Sequence, residues 1–442
     1  MPAATASIEA MNYKERSVSL VYGKTPYPPM GTLYLANALE NSGYRVHLHE
    51  SDENDGNFLV RIGQEHPLFV GFSVHTWPSI QDMVNKSKLL KKTYGKPVVW
   101  GGIHPTSMPK ATLAQPYVDW IVTGDGEVAI VELADTLFNG SLPHNRRIEG
   151  GVLTELDRFR PSWHQLRLNE YLFADNHSVR GNMKNHRSRD RIFYYLMTSR
   201  GCHYNCTFCY NSRKPKVPWH GHSAEWIKEE VLLLKRRLDI QGIGFWDDFF
   251  LGDPERALDV FAFLKAHGIG YLCEARARDL TVDFVKLLKE TGCMQVFVGA
   301  ESGSDRILEK IRKKSRVADI QMAVEATRRY QLPLRLSFIY GFPSETCEDL
   351  LQTKKLIIEL NSHAHVSISG PKLLSPYPGT AIYKEAVDAG FPVPGDVEEW
   401  ANVNRSSDLR YLPWLARLVE NNGLSLSDLF TIHRPFDMIS GC

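Results

Sequence analysis

Gly201-Cys202-His203-Tyr204-Asn205-Cys206-Thr207-Phe208-Cys209-Tyr210 decides the reading of this chain. Three residues separate the first two thiols and two separate the second pair, so three thiolates can each take one iron of a four-iron cluster and leave the last iron without a protein ligand. The ferredoxin run differs, because there a fourth Cys completes the ligand set. Of the 7 Cys in the chain, the other four, Cys273, Cys293, Cys347 and Cys442, stand singly. Two readings compete with a cluster: a zinc knuckle, which wants four ligands in paired spacings, and a chance group of structural thiols. The spacing, and the strand-like run just before it, favour the cluster.

A chain of 442 residues is too long for one ordinary core and suggests two or three domains. Its 43% hydrophobic and 23% charged residues are those of a soluble enzyme. Lys+Arg of 52 against Asp+Glu of 51 leaves a net charge of +1, so no global field gathers nucleic acid or an anionic membrane. Met1 to Asn12 is small and polar and reads as neither signal peptide nor anchor. No apolar run is long enough to span a bilayer. A cytosolic protein with reduced thiols is expected.

From Ser17 to about Asn139, short β-rich runs alternate with amphipathic helical runs. Ser17 to Tyr22, Arg45 to His49, Leu68 to Val74, Pro97 to Trp100 and Trp120 to Val122 read as strands. This alternation predicts an α/β fold, a Rossmann-like doubly wound parallel sheet with helices on both faces. Ligands bind such sheets at the C-terminal strand ends, where Gly23 to Gly31, Ser73 to Trp77, Gly101 to Thr106 and Thr123 to Glu127 form four unusual loops. Residues 140–190 lack periodicity and read as a linker. Its basic stretch from His177 to Arg191 reads either as a solvated charge run or as a flap over a phosphate or carboxylate. Strand-like runs then recur at Ile192 to Met197, Gly242 to Trp246, Tyr271 to Ala275, Gln295 to Gly299, Leu334 to Tyr340 and Val366 to Leu373. Helical segments separate them, which predicts a partial (β/α)6 barrel over residues 191–390 with its site at the C-terminal mouth. Residues 391–442 form a short tail that includes Trp400, Trp414 and His433.

From Ile192 to Gly390, with the Cys triplet and Phe208 ahead of its last Cys, the chain resembles the radical S-adenosylmethionine enzymes. The resemblance implies a 4Fe-4S cluster on Cys202, Cys206 and Cys209, with S-adenosylmethionine chelating the open iron and yielding a 5'-deoxyadenosyl radical after one-electron cleavage. Trp246-Asp247-Asp248-Phe249-Phe250 stands where the family places a motif for the amino group of S-adenosylmethionine, and either Asp247 or Asp248 makes that contact. Gly299-Ala300-Glu301-Ser302-Gly303 resembles the family's segment near the ribose and methionine, and Phe338 to Pro343, with Tyr340 and Gly341, resembles the segment that backs the adenine. Arg276 or Arg278 suits the methionine carboxylate, because a guanidinium fork matches it.

Residues 1–139 resemble the cobalamin-binding domain found upstream of this barrel in one large branch of the superfamily, through Pro28-Pro29-Met30-Gly31, Gly101-Gly102-Ile103-His104-Pro105 and Gly124-Asp125-Gly126-Glu127. The resemblance implies cobalamin contacts at Tyr27, Pro28, Met30, Ser73, His75, Thr76, Gly101, Gly102, His104, Gly124, Gly126 and Glu127. No Asp-x-His-x-x-Gly segment is present, so no protein His on cobalt is expected. Ser375-Pro376-Tyr377-Pro378-Gly379-Thr380 also resembles this branch.

The resemblance implies a cobalamin-dependent methyltransferase that acts on an unactivated carbon of a small metabolite or natural-product intermediate, through methylcobalamin and the adenosyl radical. An electron donor such as flavodoxin or ferredoxin is implied, and neither nucleic acid nor membrane is. The alternative keeps the cofactors but performs a non-methylating oxidation, cyclisation or ring rearrangement. A third class, a binding module that has lost its chemistry, is disfavoured by the complete Cys triplet. Transfer of a methyl group further implies that the loops near Tyr27, His75 and His104 face the mouth carrying Cys202, Asp247 and Glu301.

Overall fold

Every residue of the strand Ser17–Tyr22 is buried, its two serines included, as in a sheet covered on both faces, and the computed structural model shows such a sheet. It describes residues 16–76, 79–174, 177–178, 192–213, 216–403 and 409–422. The expectations placed on Met1 to Asn12, on most of the basic stretch from His177 to Arg191, and on Trp77, His433 and Cys442 lie outside these residues. Two units divide the chain, residues 1–167 with 394–404, and residues 168–393 with 405–442.

In the first unit, β1 (Ser17–Tyr22), β2 (Arg45–Glu50), β3 (Val70–Ser73), β4 (Val98–Gly101), β5 (Trp120–Gly124) and β6 (Arg147–Gly151) form one sheet in the order 2-1-3-4-5-6. All its pairings are parallel. Side chains alternate across β1, as the two-residue strand period requires. Val18 and Leu20 pack with Ala36, Leu39, Ile130 and Leu133 of the helices Met30–Asn41 and Glu127–Phe138. Ser19, between them, donates to Glu65 of the helix Asp55–Glu65 behind the other face. The strand order reverses between β1 and β3, which makes the loops after those strands a topological switch point.

Several stretches differ from expectation, among them Phe173–Ala174 and His177–Ser178, which form strands within the residues read as a linker. β6 lies within the residues read as a linker; it is an edge strand whose apolar content is Ile148 alone, so pairing with β5 rather than hydrophobic pattern defines it. The tail does not stay together either. Residues 394–404 return to the first unit, where Glu398 pairs with Lys88 at 2.5 Å and Trp400 is buried.

The second unit begins with a hairpin, β7 (Phe173–Ala174) and β8 (His177–Ser178), added antiparallel to β9 (Ile192–Leu196). A small ladder of β10 (Ser199–Arg200) and β11 (His220–Gly221) brackets the Cys loop. β12 (Gly242–Phe245), β13 (Gly270–Ala275), β14 (Cys293–Glu301), β15 (Leu334–Tyr340) and β16 (Val366–Leu373) follow β9 in spatial sequence, each parallel to the last. These are the strands of the expected partial barrel. The helices after them start at side-chain caps: Ser223 on Trp226 N, Asp253 on Arg256 N, Thr281 on Phe284 N and Thr346 in a capping box with Asp349. In β15, Leu334, Leu336, Phe338 and Tyr340 are buried, while Arg335, Ser337 and Ile339 line the half-buried opposite face.

Candidate functional site

In the first unit the motif residues sort into two groups at the C-terminal strand ends. Tyr27, Ser73, His75, Gly101, Gly102, Gly124 and Gly126 are half-buried or exposed, whereas Pro28, Met30, Thr76, His104 and Glu127 are buried. Gly102 cannot be another residue without movement: its φ is +96°, and a Cβ there would stand 2.9 Å from the Val74 carbonyl oxygen. His104 donates its backbone N–H to that same carbonyl at 3.0 Å, so the loops after β3 and β4 are tied together. The ring of His104 is fully buried, with Nδ1 3.1 Å from Thr76 Oγ1 and the Trp400 ring edge-on at 6.2 Å between centroids. Burial pushes its imidazole down to about 4, so it is neutral at pH 7. His104 therefore sits behind the edge, and His75 stands exposed on it. An edge made of glycine backbone at a switch point fits a large planar cofactor with a nucleotide tail.

In the second unit the Cys loop is pinned from several sides. Thr207 donates its N–H to Ile311 O at 2.9 Å and accepts at its own carbonyl from Ile382 N at 3.1 Å, and the Ser212 hydroxyl lies 2.7 Å from the carbonyls of both Cys206 and Cys209. All three thiols are free, Cys206 buried and the others half-buried. Burial pushes the Cys209 thiol up to about 12 and raises that of Cys202. Without metal Cys202 and Cys209 keep their protons, and bound iron would supply the positive charge that makes thiolates of them. Among the described residues no three His, Cys, Asp or Glu side chains close around one point as ligands of a single ion would. A cluster asks for a wider spread, since each thiolate takes a different iron.

The two aspartates after β12 have different tasks. Asp247 accepts from Thr198 N (2.5 Å), Thr198 Oγ1 (2.6 Å) and Ser199 Oγ (2.8 Å), with Arg256 Nη2 at 3.8 Å. Its side chain is shut away from solvent, so it anchors the entry to the Cys loop. Asp248 is half-buried and accepts from Gly201 N at 2.9 Å and Tyr210 OH at 2.7 Å, the two ends of that loop. Of the pair left open by the sequence, Asp248 is the one with a face open to a ligand. The arginines separate in the same way. Arg278 is exposed and donates to Lys314 O, whereas Arg276 is buried, stacks over Tyr204 of the Cys loop at 3.6 Å, and has Nε and Nη2 without hydrogen-bond partners among the described residues. A buried guanidinium with two free donors fits a carboxylate.

Glu301 ends β14 with φ +66°, an uncommon conformation for a side chain of its size, and Lys313 holds it at 2.8 Å. Lys313 Nζ also lies 6.0 Å from the Phe208 ring centroid, and Phe208 meets Phe342 edge-on at 6.1 Å. The Cys loop and the ends of β14 and β15 therefore meet. Ser302 is fully buried, accepting from Ser304 N and bonded to Thr353, and so belongs to the support of this strand end. Tyr340 is buried, and Gly341 follows it with φ +89°.

Sequence reasoning gave no role to Tyr210, although it ends the Cys stretch, and missed Lys313, Glu274 and Glu345, which belong to no spaced motif. Glu274 lies on the open face of β13 among acids. Loss of hydration and the nearby Asp248 and Asp247 push it up to about 8, although solvent still reaches it. Among the described residues the carboxylates at positions 247, 248, 274 and 301 outnumber the nearby cations Arg256, Arg276 and Lys313, a balance that suits a cationic ligand such as S-adenosylmethionine.

The B12 binding domain model matches residues 17–134 and the Radical SAM superfamily model residues 196–357. Joined in this order, these domains and their sites define a cobalamin-dependent radical S-adenosylmethionine enzyme, with a 4Fe-4S cluster, S-adenosylmethionine and cobalamin as its cofactors. The chain belongs to that family: it is 30% identical, over 84% of its length and 81% of the relative's, to an uncharacterized methyltransferase of Pyrococcus horikoshii. It is 23% identical to the anaerobic magnesium-protoporphyrin IX monomethyl ester cyclase of Rubrivivax gelatinosus, over 82% of this chain and 67% of the other. Its fold is that of the radical S-adenosylmethionine methyltransferase TsrM from Kitasatospora setae, solved with cobalamin and cluster bound (TM-score 0.67, 17% identity, 88% of this chain and 82% of that one). Among the described residues no helix is long and apolar enough to cross a membrane.

Proposed function

We propose that this enzyme transfers a methyl group to an unactivated carbon of a small metabolite or natural-product intermediate. The observation that carries the reading is a three-thiol loop, clamped at both ends by Asp248, in the same chain as a glycine-edged sheet with a switch point. When bound, the cluster and S-adenosylmethionine supply the radical that takes hydrogen from substrate, and cobalamin supplies the methyl group. Cys202, Cys206 and Cys209 hold iron. Arg276 takes the carboxylate of S-adenosylmethionine and Asp248 its ammonium, Glu301 positioned by Lys313 faces the ribose, and Tyr340 and Gly341 back the adenine. Tyr27, Ser73, His75, Gly101, Gly102, Gly124 and Gly126 form the cobalamin edge, with Pro28, Met30, Thr76, His104 and Glu127 supporting it from behind. The functional division into residues 1–139 and 191–390, a flavodoxin or ferredoxin as electron donor, and a cytosolic location belong to the same proposal.

The similarity to a cyclase favours a second reading, in which the same cofactors drive an oxidation, cyclisation or ring rearrangement without methylation. Anaerobically reconstituted enzyme, given methyl-deuterated S-adenosylmethionine, a low-potential reductant and a metabolite extract, separates the two by product mass. Deuterated methyl on a product carbon supports the first reading, and an unlabelled product that has lost hydrogen supports the second. No cleavage of S-adenosylmethionine by cluster-loaded enzyme overturns both.

A further inference from the structure

We infer that the helix Pro413–Asn421, the last among the described residues, positions S-adenosylmethionine, with Trp414 as the positioning residue; the inference rests on the proposal that Tyr340 and Gly341 back the adenine. A backbone turn that must present a flat wall to a base has to be held at both its N–H and its C=O, and here the two are held by different elements. Glu345 accepts from Gly341 N at 2.6 Å and from Phe342 N at 3.2 Å. On the other side, Trp414 donates its indole N–H to Gly341 O at 2.9 Å from a site only 9% exposed.

The same helix closes the space beside the turn. A Cβ on Gly341 would stand 3.2 Å from a Leu415 methyl and 3.4 Å from one of Leu412, two side chains that are themselves fully buried. A nine-residue helix is too short to be stable alone in water, so its docking and the shape of the turn form one packing unit. The turn is also linked to the Cys loop through Phe342 against Phe208. Loss of the indole N–H leaves a buried carbonyl without a donor, and the turn relaxes where the adenine rests. The methionine end of the ligand is held by other groups and is unaffected.

The test uses the full-length, cluster- and cobalamin-loaded enzyme. Trp414→Phe keeps the aromatic packing and removes the donor; Gly341→Ala disturbs the same turn by crowding Leu415 and Leu412. S-adenosylmethionine and L-methionine are titrated separately against the paramagnetic resonance signal of the reduced cluster, with iron content and melting temperature measured alongside. Trp414→Phe is expected to bind S-adenosylmethionine roughly five-fold more weakly, as loss of one neutral hydrogen bond implies, while L-methionine binding and iron content stay at wild-type values. Gly341→Ala should show the same split; Leu415→Val, which loosens the helix against the turn without altering the turn's own residues, should show it too and decides the matter if Trp414→Phe does not fold. Unchanged affinity for S-adenosylmethionine, or equal weakening for both probes, overturns the inference. A wild-type enzyme that gains no affinity from the adenosyl group would instead overturn the adenine assignment beneath it.

Discussion

Glu345→Gln tests the electrostatics of the turn behind the proposed adenine wall. Glu345 is 8% exposed, and its Oε1 has no hydrogen-bond partner among the described residues. Burial pushes its carboxyl from an ordinary 4.5 up to about 8, and the N–H groups of Gly341 and Phe342 offset only part of that rise. A carboxyl whose pKa is higher folded than unfolded holds its proton in the native state after the unfolded chain has released it. Stability therefore falls as pH rises from about 4.5 to about 8, with a slope of up to about 1.4 kcal/mol per pH unit. Gln cannot ionise and still accepts both N–H groups, so the variant lacks this slope. Between pH 5.5 and pH 7.5 the wild type should lose roughly 2–3 kcal/mol relative to Glu345→Gln, which corresponds to about 4–12 °C in melting temperature for a domain of this size. Paired thermal unfolding of the two proteins at each pH measures the difference and cancels the other titrating groups. A difference that does not change with pH would mean that Glu345 is ionised in the fold and that its two donors outweigh desolvation.

Other outcomes follow from the same geometry. Cys202→Ala, Cys206→Ala and Cys209→Ala should each abolish cleavage of S-adenosylmethionine, whereas Cys273→Ala, Cys293→Ala and Cys347→Ala should leave iron content unchanged; full cleavage by a reconstituted Cys206→Ala enzyme would refute the ligand assignment. Asp247→Ala removes the carboxylate beside buried Arg256 and the acceptor of three donors of residues 198 and 199, and should destabilise the protein by about 3–5 kcal/mol; a melting temperature within a degree of wild type would contradict its anchoring role. The cob(II)alamin form should show no nitrogen superhyperfine splitting from a protein imidazole, and its appearance would place a His of this chain on cobalt.

Much of the fold was legible from local pattern. The edges of β1, β15 and β16 coincide with the strand runs seen in the sequence, because continuous or alternating apolar residues there match burial on one or both faces. β6 was not legible, since an edge strand with a single apolar residue carries no periodic signal and exists through its pairing. The same is true of residues 394–404, whose attachment to the first unit depends on Trp400 and Glu398 meeting residues some three hundred positions earlier in the chain.

The candidate site divides in the same way. Short-range chemistry determined the three thiols, the glycine loops and the order of strand-end acids, because spacing along one loop or one strand-helix turn is a property of sequence alone. Only the tertiary structure decided which member of each pair does what. Asp247 is consumed as an anchor while Asp248 clamps the loop and remains accessible; Arg276 is buried with free donors while Arg278 faces solvent; His104 is sealed behind the edge that His75 occupies. Lys313 on Glu301 and Trp414 on Gly341 are partners from distant or unpatterned segments. The physical reason is that a side chain's role depends on what shares its desolvated space, and packing brings those neighbours together across stretches of chain that local spacing does not connect.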